Sequence, residues 1–276
     1  MSAVREWYSA HFARQNRKEM IFCNLGSGSK GNSSYLQNDR KAILIDQGFS
    51  LKNLVTRFAQ VNLRPEDVAA IVVTHEHSDH VNGVGIFARR YHIPVYLTEK
   101  TRSAVSEPVL KNVAIEHFVS GDEFDIEDIR FKTFHIAHDA ADPIGIVASA
   151  GEKRVGILTD VGTDNQSVIY HVSHLDLLFL EANHDMFMLL NGPYPLRVIQ
   201  RIKSRVGHLS NDQSVELLRK LEGNGRLQHL VLGHLSDTNN DPDIVREFFE
   251  KARQEQAGQF QIDIALQNIP GKIFEI

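Results

Sequence analysis

The stretch "IVVTHEHSDH", Ile71–His80, decides how this chain is read. An apolar run that begins at Val68 leads straight into three histidines, a glutamate and an aspartate. Polar groups buried without partners cost free energy, so a core strand gains nothing from such an ending. A metal site does use one. His75 and His77 are two apart and face one way in an extended segment, while Asp79 and His80 follow a bend and can face a second ion. Neutral imidazole and carboxylate suit Zn, Mn or Fe. A lone histidine would read as a solvated loop residue, but a compact cluster of ligand-type residues reads as a site.

The same pattern recurs outward from this stretch. Asp46 closes "AILI", and His135, His138 and Asp139 lie in or after "FKTFHIA". Asp160 closes "VGILT", Glu181, Asn183, His184 and Asp185 follow "LLFL", and His234 follows "LVLG". Sheets commonly place their sites at strand ends, so these runs predict ligands gathered along one edge of a sheet stack.

Helical spacing appears in "LKNLVTRFAQ" (51–60), "VNGVGIFARRYH" (81–92) and "YPLRVIQRIKSRVG" (194–207), the last closed by Gly207. "SNDQSVELLRKLEG" opens with a Ser210–Gln213 capping box and ends at Gly223. "DPDIVREFFEKARQEQ" has Asp241 as N-cap and Pro242 in the first turn. "TRSAVSEPVL" starts helical and should stop near Pro108, and "EKR" after Gly151 reads as a hairpin turn. Strands interleave with helices from residue 20 to 276 without a linker or repeat. This predicts one α/β (α+β) domain of mixed sheets with helices outside. Residues 1–19 read as a mildly basic amphipathic appendage, frayed or loosely docked.

Composition sets limits. The 276 residues are 42% hydrophobic, enough for a sizeable core. The net charge of -5 excludes a global basic field, so a nucleic-acid substrate would need a local patch. One cysteine, Cys23 in "MIFCNL", rules out an intrachain disulfide and four-thiolate metal sites, and it reads as a small buried hydrophobe. No run approaches the ~18 apolar residues of a membrane span, and the N-terminus lacks a secretory apolar region. A cytoplasmic protein with no membrane partner is expected.

His-x-His-x-Asp-His after a buried strand resembles the signature of the metallo-β-lactamase superfamily. The resemblance continues in order through Asp46, His138, Asp160 and His234, covering about residues 20–240. It implies a four-layer αββα sandwich and a dinuclear site. His75, His77 and His138 would hold one ion, and Asp79, His80 and His234 the other. Asp160 would bridge them, while Asp46 and Glu181 would orient ligands from behind. Two ions about 3.5–4 Å apart lower the pKa of a water between them and clamp a phosphoryl oxygen.

"GSGSKGNSSYL", "LEANHD", "GHLSND" and "LGHLSDTNN" are similar to the YycJ/WalJ-type branch, related to ribonuclease Z and described as 5′→3′ exonucleases on DNA. This implies phosphodiester hydrolysis with Asp79 and His208 catalytic, His208 protonating the leaving oxygen. A helix-terminal histidine satisfied by carbonyls is the other reading of His208. Arg197, Arg201 and Arg205 are four apart and form a stripe that could hold phosphates or simply face solvent, with Leu196, Ile199, Ile202 and Val206 on the other face. Ser29, Lys30 and Asn32 lie in a Gly/Ser loop that could bind phosphate through its backbone or be a plain hairpin. His184 reads equally as a substrate contact, an extra ligand or a structural group. His11, His92, His117, His171, His174 and His229 read as structural or surface residues. The same ions could serve a small-molecule phosphodiesterase or a thioesterase or lactamase-like hydrolase, and a noncatalytic DNA-binding role would leave the ligand set without a purpose.

Overall fold

Short apolar runs build two sheets. β1 (Ile21–Gly26), β2 (Ser33–Asn38), β3 (Lys41–Ile45), β4 (Val68–Val72), β5 (Val95–Thr98) and β6 (Ile115–Phe118) belong to the first. β7 (Glu123–Ile126), β8 (Ile129–His135), β9 (Ile144–Ala150), β10 (Lys153–Leu158), β11 (Leu177–Glu181), β12 (His229–Gly233) and β13 (Gln261–Ile264) make the second, and β14 (Phe274–Glu275) returns to the first. The strand orders are β14-β1-β2-β3-β4-β5-β6 and β13-β12-β11-β10-β9-β8-β7. The structure, a computed structural model, describes residues 20–39, 41–221, 225–255 and 258–276. The expected appendage 1–19 and the helix stop at Gly223 lie outside the described residues.

Each sheet is mixed. β3 to β6 run parallel, as do β10 to β13, while β1, β2 and β7 to β9 pair antiparallel with their neighbours. Strands buried on both faces need nearly continuous apolar sequence, which explains "LLFL" and "AILI". Three apolar layers follow. Phe22, Ile43 and Ile45 of the first sheet meet Phe131, Ile146 and Phe179 of the second, with the Phe22 and Phe179 rings 5.7 Å apart. Leu54, Phe58 and Phe87 pack helices on the outer face of the first sheet. Val168, Val215, Leu217 and Phe249 do so on the second. Helix, sheet, sheet and helix are therefore stacked as expected from the sequence. Emptying the middle layer by Phe179→Ala should cost about 3–5 kcal/mol.

Several local readings are corrected. Pro108 does not stop a helix: the first helix ends at Ala104, and Pro108 sits in the opening turn of a second, Glu107–Leu110. Proline is tolerated there because the first-turn N–H groups have no intrahelical acceptor. Ala150 pairs with Lys153, so the hairpin turns on Gly151 and Glu152, with Gly151 at φ 58, and Lys153 and Arg154 belong to β10. β7 and the helices Gln166–His171 and Met186–Asn191 were too short to show a period. The helix expected to run to Gly207 covers Leu196–Ile202 only, leaving Arg205 and Val206 beyond its end. Gly207 folds back on the helix terminus instead, where an added Cβ would lie 2.1 Å from the Ile202 carbonyl oxygen.

Candidate metal centre

Because β8 and β10 to β12 point the same way, their C-terminal ends share one edge, and the ends of β3 and β4 meet it from the other sheet. Asp46, His75, His138, Asp160, Glu181 and His234 all emerge there. Asp46, Asp160 and His234 sit at left-handed φ of 59, 58 and 55. Aspartate and histidine accept that region better than most residues. Such conformations cost of order 1–3 kcal/mol and collect at functional sites.

Side chains from both sheets converge. His75, His77 and His138 bring ligand atoms within 4.8 Å of one another, as do Asp79, His80 and His234. Asp160 stands between the two groups. Its Oδ1 lies 3.7 Å from His138 Nε2 and 3.5 Å from His234 Nε2, and its Oδ2 lies 3.2 Å from His80 Nε2. His138 Nε2 is 3.2 Å from His77 Nδ1. Among the described residues the buried atoms His75 Nε2, His234 Nε2 and Asp160 Oδ2 have no hydrogen-bond partner. A dense set of nitrogen and oxygen atoms left unsatisfied in this way fits divalent cations.

Hydrogen bonds behind the ligands turn them inward. Asp46 Oδ1 accepts from the Thr74 N–H at 2.8 Å, and Oδ2 accepts from Thr74 Oγ1 at 2.7 Å and from His80 Nδ1 at 2.8 Å. With its proton given to Asp46, the Thr74 hydroxyl is left to accept from His75 Nδ1 at 3.0 Å. His138 Nδ1 donates to the Gly207 carbonyl at 3.1 Å. In each of these three rings Nδ1 is engaged and Nε2 faces the cluster, which is how a backing partner selects the tautomer.

Glu181 does the same job from the second sheet, for two rings at once. Its Oε1 accepts from His234 Nδ1 at 2.7 Å and from His208 Nδ1 at 2.9 Å. Oε2 accepts from the N–H groups of Val161 and Leu209, both at 3.1 Å. Glu181 is fully buried, whereas the His208 side chain keeps 14% of its surface exposed. Ser210, with the capping box expected from sequence, starts the next helix and holds this segment in place.

The electrostatics follow from burial and charge. Burial alone would lower the His234 imidazole and raise the carboxyls. The Asp160 charge, with the Asp79 carboxylate 3.7 Å from Nε2 and the hydrogen bond to Glu181, outweighs this and lifts His234 to about 10. Burial likewise works to raise Glu181, but the His208 charge and the bonds from both histidines hold it down at about 2. Asp79 and Asp160 lie well below the usual carboxylate range for the same reason, through His80 and His234. His75 is pushed down by burial and by His80 beside it.

Other expected residues fall apart into distinct places. Asn32 is buried at the centre: Nδ2 donates to Asp79 Oδ2 at 2.9 Å and Oδ1 accepts from the Gly28 N–H at 2.8 Å. Its position makes it a holder of Asp79. Ser29 and Lys30 are exposed at the loop tip, and Lys30 pairs with Asp237 at 2.6 Å. His184 is buried, its Nδ1 3.3 Å from Asn183 Oδ1, and burial pushes it down to about 4. His184 is absent from the ligand-forming groups among the described residues. Arg201 donates to Asp139 at 2.5 Å, and Arg197 and Arg205 are exposed. The sequence reading gave Asp139 no specific role and missed Thr74 and the Gly207 carbonyl. Thr74 lay inside a polar burst already noted, but a backbone oxygen leaves no residue-type signal. Leu196 and Val206, expected on an apolar face, are exposed as well. Among the remaining histidines, His92 closes a helix at φ 56 and His171 stacks on Phe134. His11 lies outside the described residues.

Residues 41–235 match the family described as beta-lactamase superfamily domain. The chain belongs to this superfamily. Two curated relatives narrow its place there. It is 40% identical over 220 residues to exodeoxyribonuclease WalJ of Streptococcus pneumoniae, covering 78% of this chain and 81% of that protein. It is 34% identical over 238 residues to exodeoxyribonuclease YycJ of Bacillus anthracis, covering 85% and 89%. The superfamily fold is shared with the metallo-beta-lactamase fold protein YhfI of Bacillus subtilis, at a TM-score of 0.70, 15% identity, and coverage of 94% of this chain and 100% of that one. Among the described residues no helix is long and apolar enough to cross a membrane.

Proposed function

We propose that the chain is a metal-dependent 5′→3′ exonuclease acting on DNA in the cytoplasm. The observation that carries this reading is Glu181, which ties the buried His234 and the partly exposed His208 to one carboxylate oxygen. In this reading His75, His77 and His138 would hold one divalent ion and Asp79, His80 and His234 a second, with Asp160 within reach of both sets. Bound divalent cations supply Lewis acidity and hydroxide near neutral pH. The chain's own residues do the rest. Asp46 and Glu181 orient the ligating rings. Asn32 holds Asp79 where it can accept a proton from the attacking water. His208 stands 3.8 Å from Asp160 Oδ1 and donates a proton to the departing oxygen. Arg197 and Arg205, both exposed, neutralise the strand's phosphates. The relatives named for DNA exonuclease activity support the substrate and the chemistry.

The test is hydrolysis of 5′-labelled duplex and single-stranded DNA with Mn, Mg or Zn, beside Asp79→Ala. Stepwise loss of 5′ nucleotides by the wild type alone is expected. Bound metal with no DNA cleavage, together with turnover of an acyl ester or a small phosphodiester, would overturn the nuclease reading.

A further inference from the structure

The stretch "GSGSKGN", Gly26–Asn32, runs from the end of β1 into the site. A phosphate cradle needs successive backbone N–H groups that are free to point at the ligand. In this loop they are spent inside the protein. The N–H of Ser27 donates to the Leu266 carbonyl at 3.2 Å, that of Gly31 to Gly28 at 3.1 Å and that of Asn32 to Asp79 at 2.8 Å. Those of Gly28 and Lys30 donate to Asn32 Oδ1 at 2.8 Å and to Gln267 Oε1 at 2.7 Å.

What the loop does meet is the ligand set Asp79, His80 and His234. Asn32 Nδ2 donates to Asp79 Oδ2 at 2.9 Å, and that same oxygen lies 3.3 Å from His80 Nε2 and 3.7 Å from His234 Nε2. Ser27 Oγ accepts from the His234 N–H at 2.8 Å and donates to Asn32 Oδ1 at 3.0 Å. With Oδ1 taken by two donors, the Asn32 amide is fixed with Nδ2 towards Asp79.

The loop is gripped from behind by two residues distant in sequence. Arg57, on the helix Leu51–Gln60, is 5% exposed. Its guanidinium donates to the Leu25 carbonyl at 2.7 Å, the Gln267 carbonyl at 2.9 Å and Asn53 Oδ1 at 2.7 Å, and its Cζ lies 4.1 Å from the centre of the Phe49 ring. All three acceptors are uncharged. A buried cation costs free energy unless its donors are met, and here they are met by fixing the end of β1 to the segment after β13. Gln267 Nε2 in turn donates to the Gly31 carbonyl at 2.9 Å, while Oε1 takes the Lys30 N–H. A Cβ on Gly28 would lie 2.7 Å from Gln267 Oε1, so the glycine leaves room for this grip.

We infer that the glycine loop is a brace for the second ligand set, and that Arg57 and Gln267 are positioning residues that keep Asn32 against Asp79 and so set the affinity of that set for its ion. The inference rests on the two-ion reading proposed above. Groups behind a ligand act by aiming it. The first set is backed by the Thr74 hydroxyl at His75 and the Gly207 carbonyl at His138 instead, so it should not feel the loop.

The experiment titrates the metal-free protein with Co(II), read by visible absorption and by calorimetry. Asp79→Ala supplies the spectrum of the first set alone. Gln267→Met removes both side-chain hydrogen bonds at nearly constant volume. Arg57→Lys keeps the charge but not the fork that spans two carbonyls. Wild type should take up two equivalents. Both variants should bind the first equivalent with wild-type affinity and the reference spectrum, and the second about tenfold more weakly. Circular dichroism checks the fold of each, and if Arg57→Lys does not fold, Gln267→Met carries the comparison. Both affinities unchanged in the variants, or both weakened alike, overturns the brace alone. Wild-type protein that takes up a single equivalent overturns the two-ion reading and the inference with it.

Discussion

The two halves of the candidate metal centre are built alike and wired differently. On the first sheet Asp46 gathers Thr74 and His80, all of them buried. On the second, Glu181 gathers His234, a buried ring, and His208, a ring that stays partly exposed. The first arrangement can only hold ligands. The second also links ligand geometry to a group able to meet substrate. Removing one carboxylate should therefore affect binding of metal alone, and removing the other should affect metal and proton transfer together.

The largest expected effect is in the shared region. Asp79→Ala should reduce DNA hydrolysis to background, with loss of bound metal measured by elemental analysis of the purified variant. His208→Ala should slow turnover by about 10²–10⁴-fold and keep the wild-type metal content. If both variants lose metal equally, the separation between holding and proton transfer is wrong.

Next come the two carboxylates. Asp46→Asn and Glu181→Gln should each weaken metal binding by about 10–100-fold in a chelator competition. At saturating metal only Glu181→Gln should also slow turnover, because it alone frees His208 from its hydrogen-bond partner. Equal turnover by the two metal-saturated variants would erase the difference between the halves.

The pH dependence has a definite sign. Without metal, His234 holds a proton up to about 10. A cation taking its Nε2 must displace that proton, so affinity should fall as pH falls and proton release should accompany binding at pH near 8. Calorimetric titration in buffers of different ionisation enthalpy reads the protons directly, and an enthalpy independent of buffer would contradict it. In the ion-free protein, His234 stabilises fully below its ordinary value of 6.5, and that contribution is lost as pH rises through about 10. Glu181 stabilises above its ordinary 4.5, and its contribution is lost as pH falls through about 2.

The smallest effect concerns the scaffold of the second half. Ser210→Ala removes the cap of the helix after His208 and should cost about 1 kcal/mol, lowering the thermal midpoint by roughly 2–4 °C. The first half, held by Asp46 on the other sheet, should be indifferent to it, so metal content should stay at the wild-type level. A Ser210→Ala protein that loses metal would show the halves to be one cooperative unit.

How much could be read without coordinates depends on what kind of pattern carries each feature. "AIVVTHEHSDH" and the runs before Asp46, Asp160, Glu181 and His234 determined buried strands and the polar residues that gather at their ends, because burial on both faces demands apolar runs and polar bursts are not tolerated inside them. The capping box at Ser210 was equally legible, since capping is local chemistry. The partners that tune the site were not. Asn32 meets Asp79 across 47 positions, Glu181 meets His234 across 53, and His138 meets a backbone carbonyl 69 residues away. The helix before His208 stops at Ile202 although its period continues, because its chain is drawn onto Asp139, His138 and Gly162. Periodicity and residue type act within a few residues, so the sequence alone determined elements and ligand types. Which atoms face one another, and which apolar side chains stay in water, was decided by packing between segments far apart in the chain.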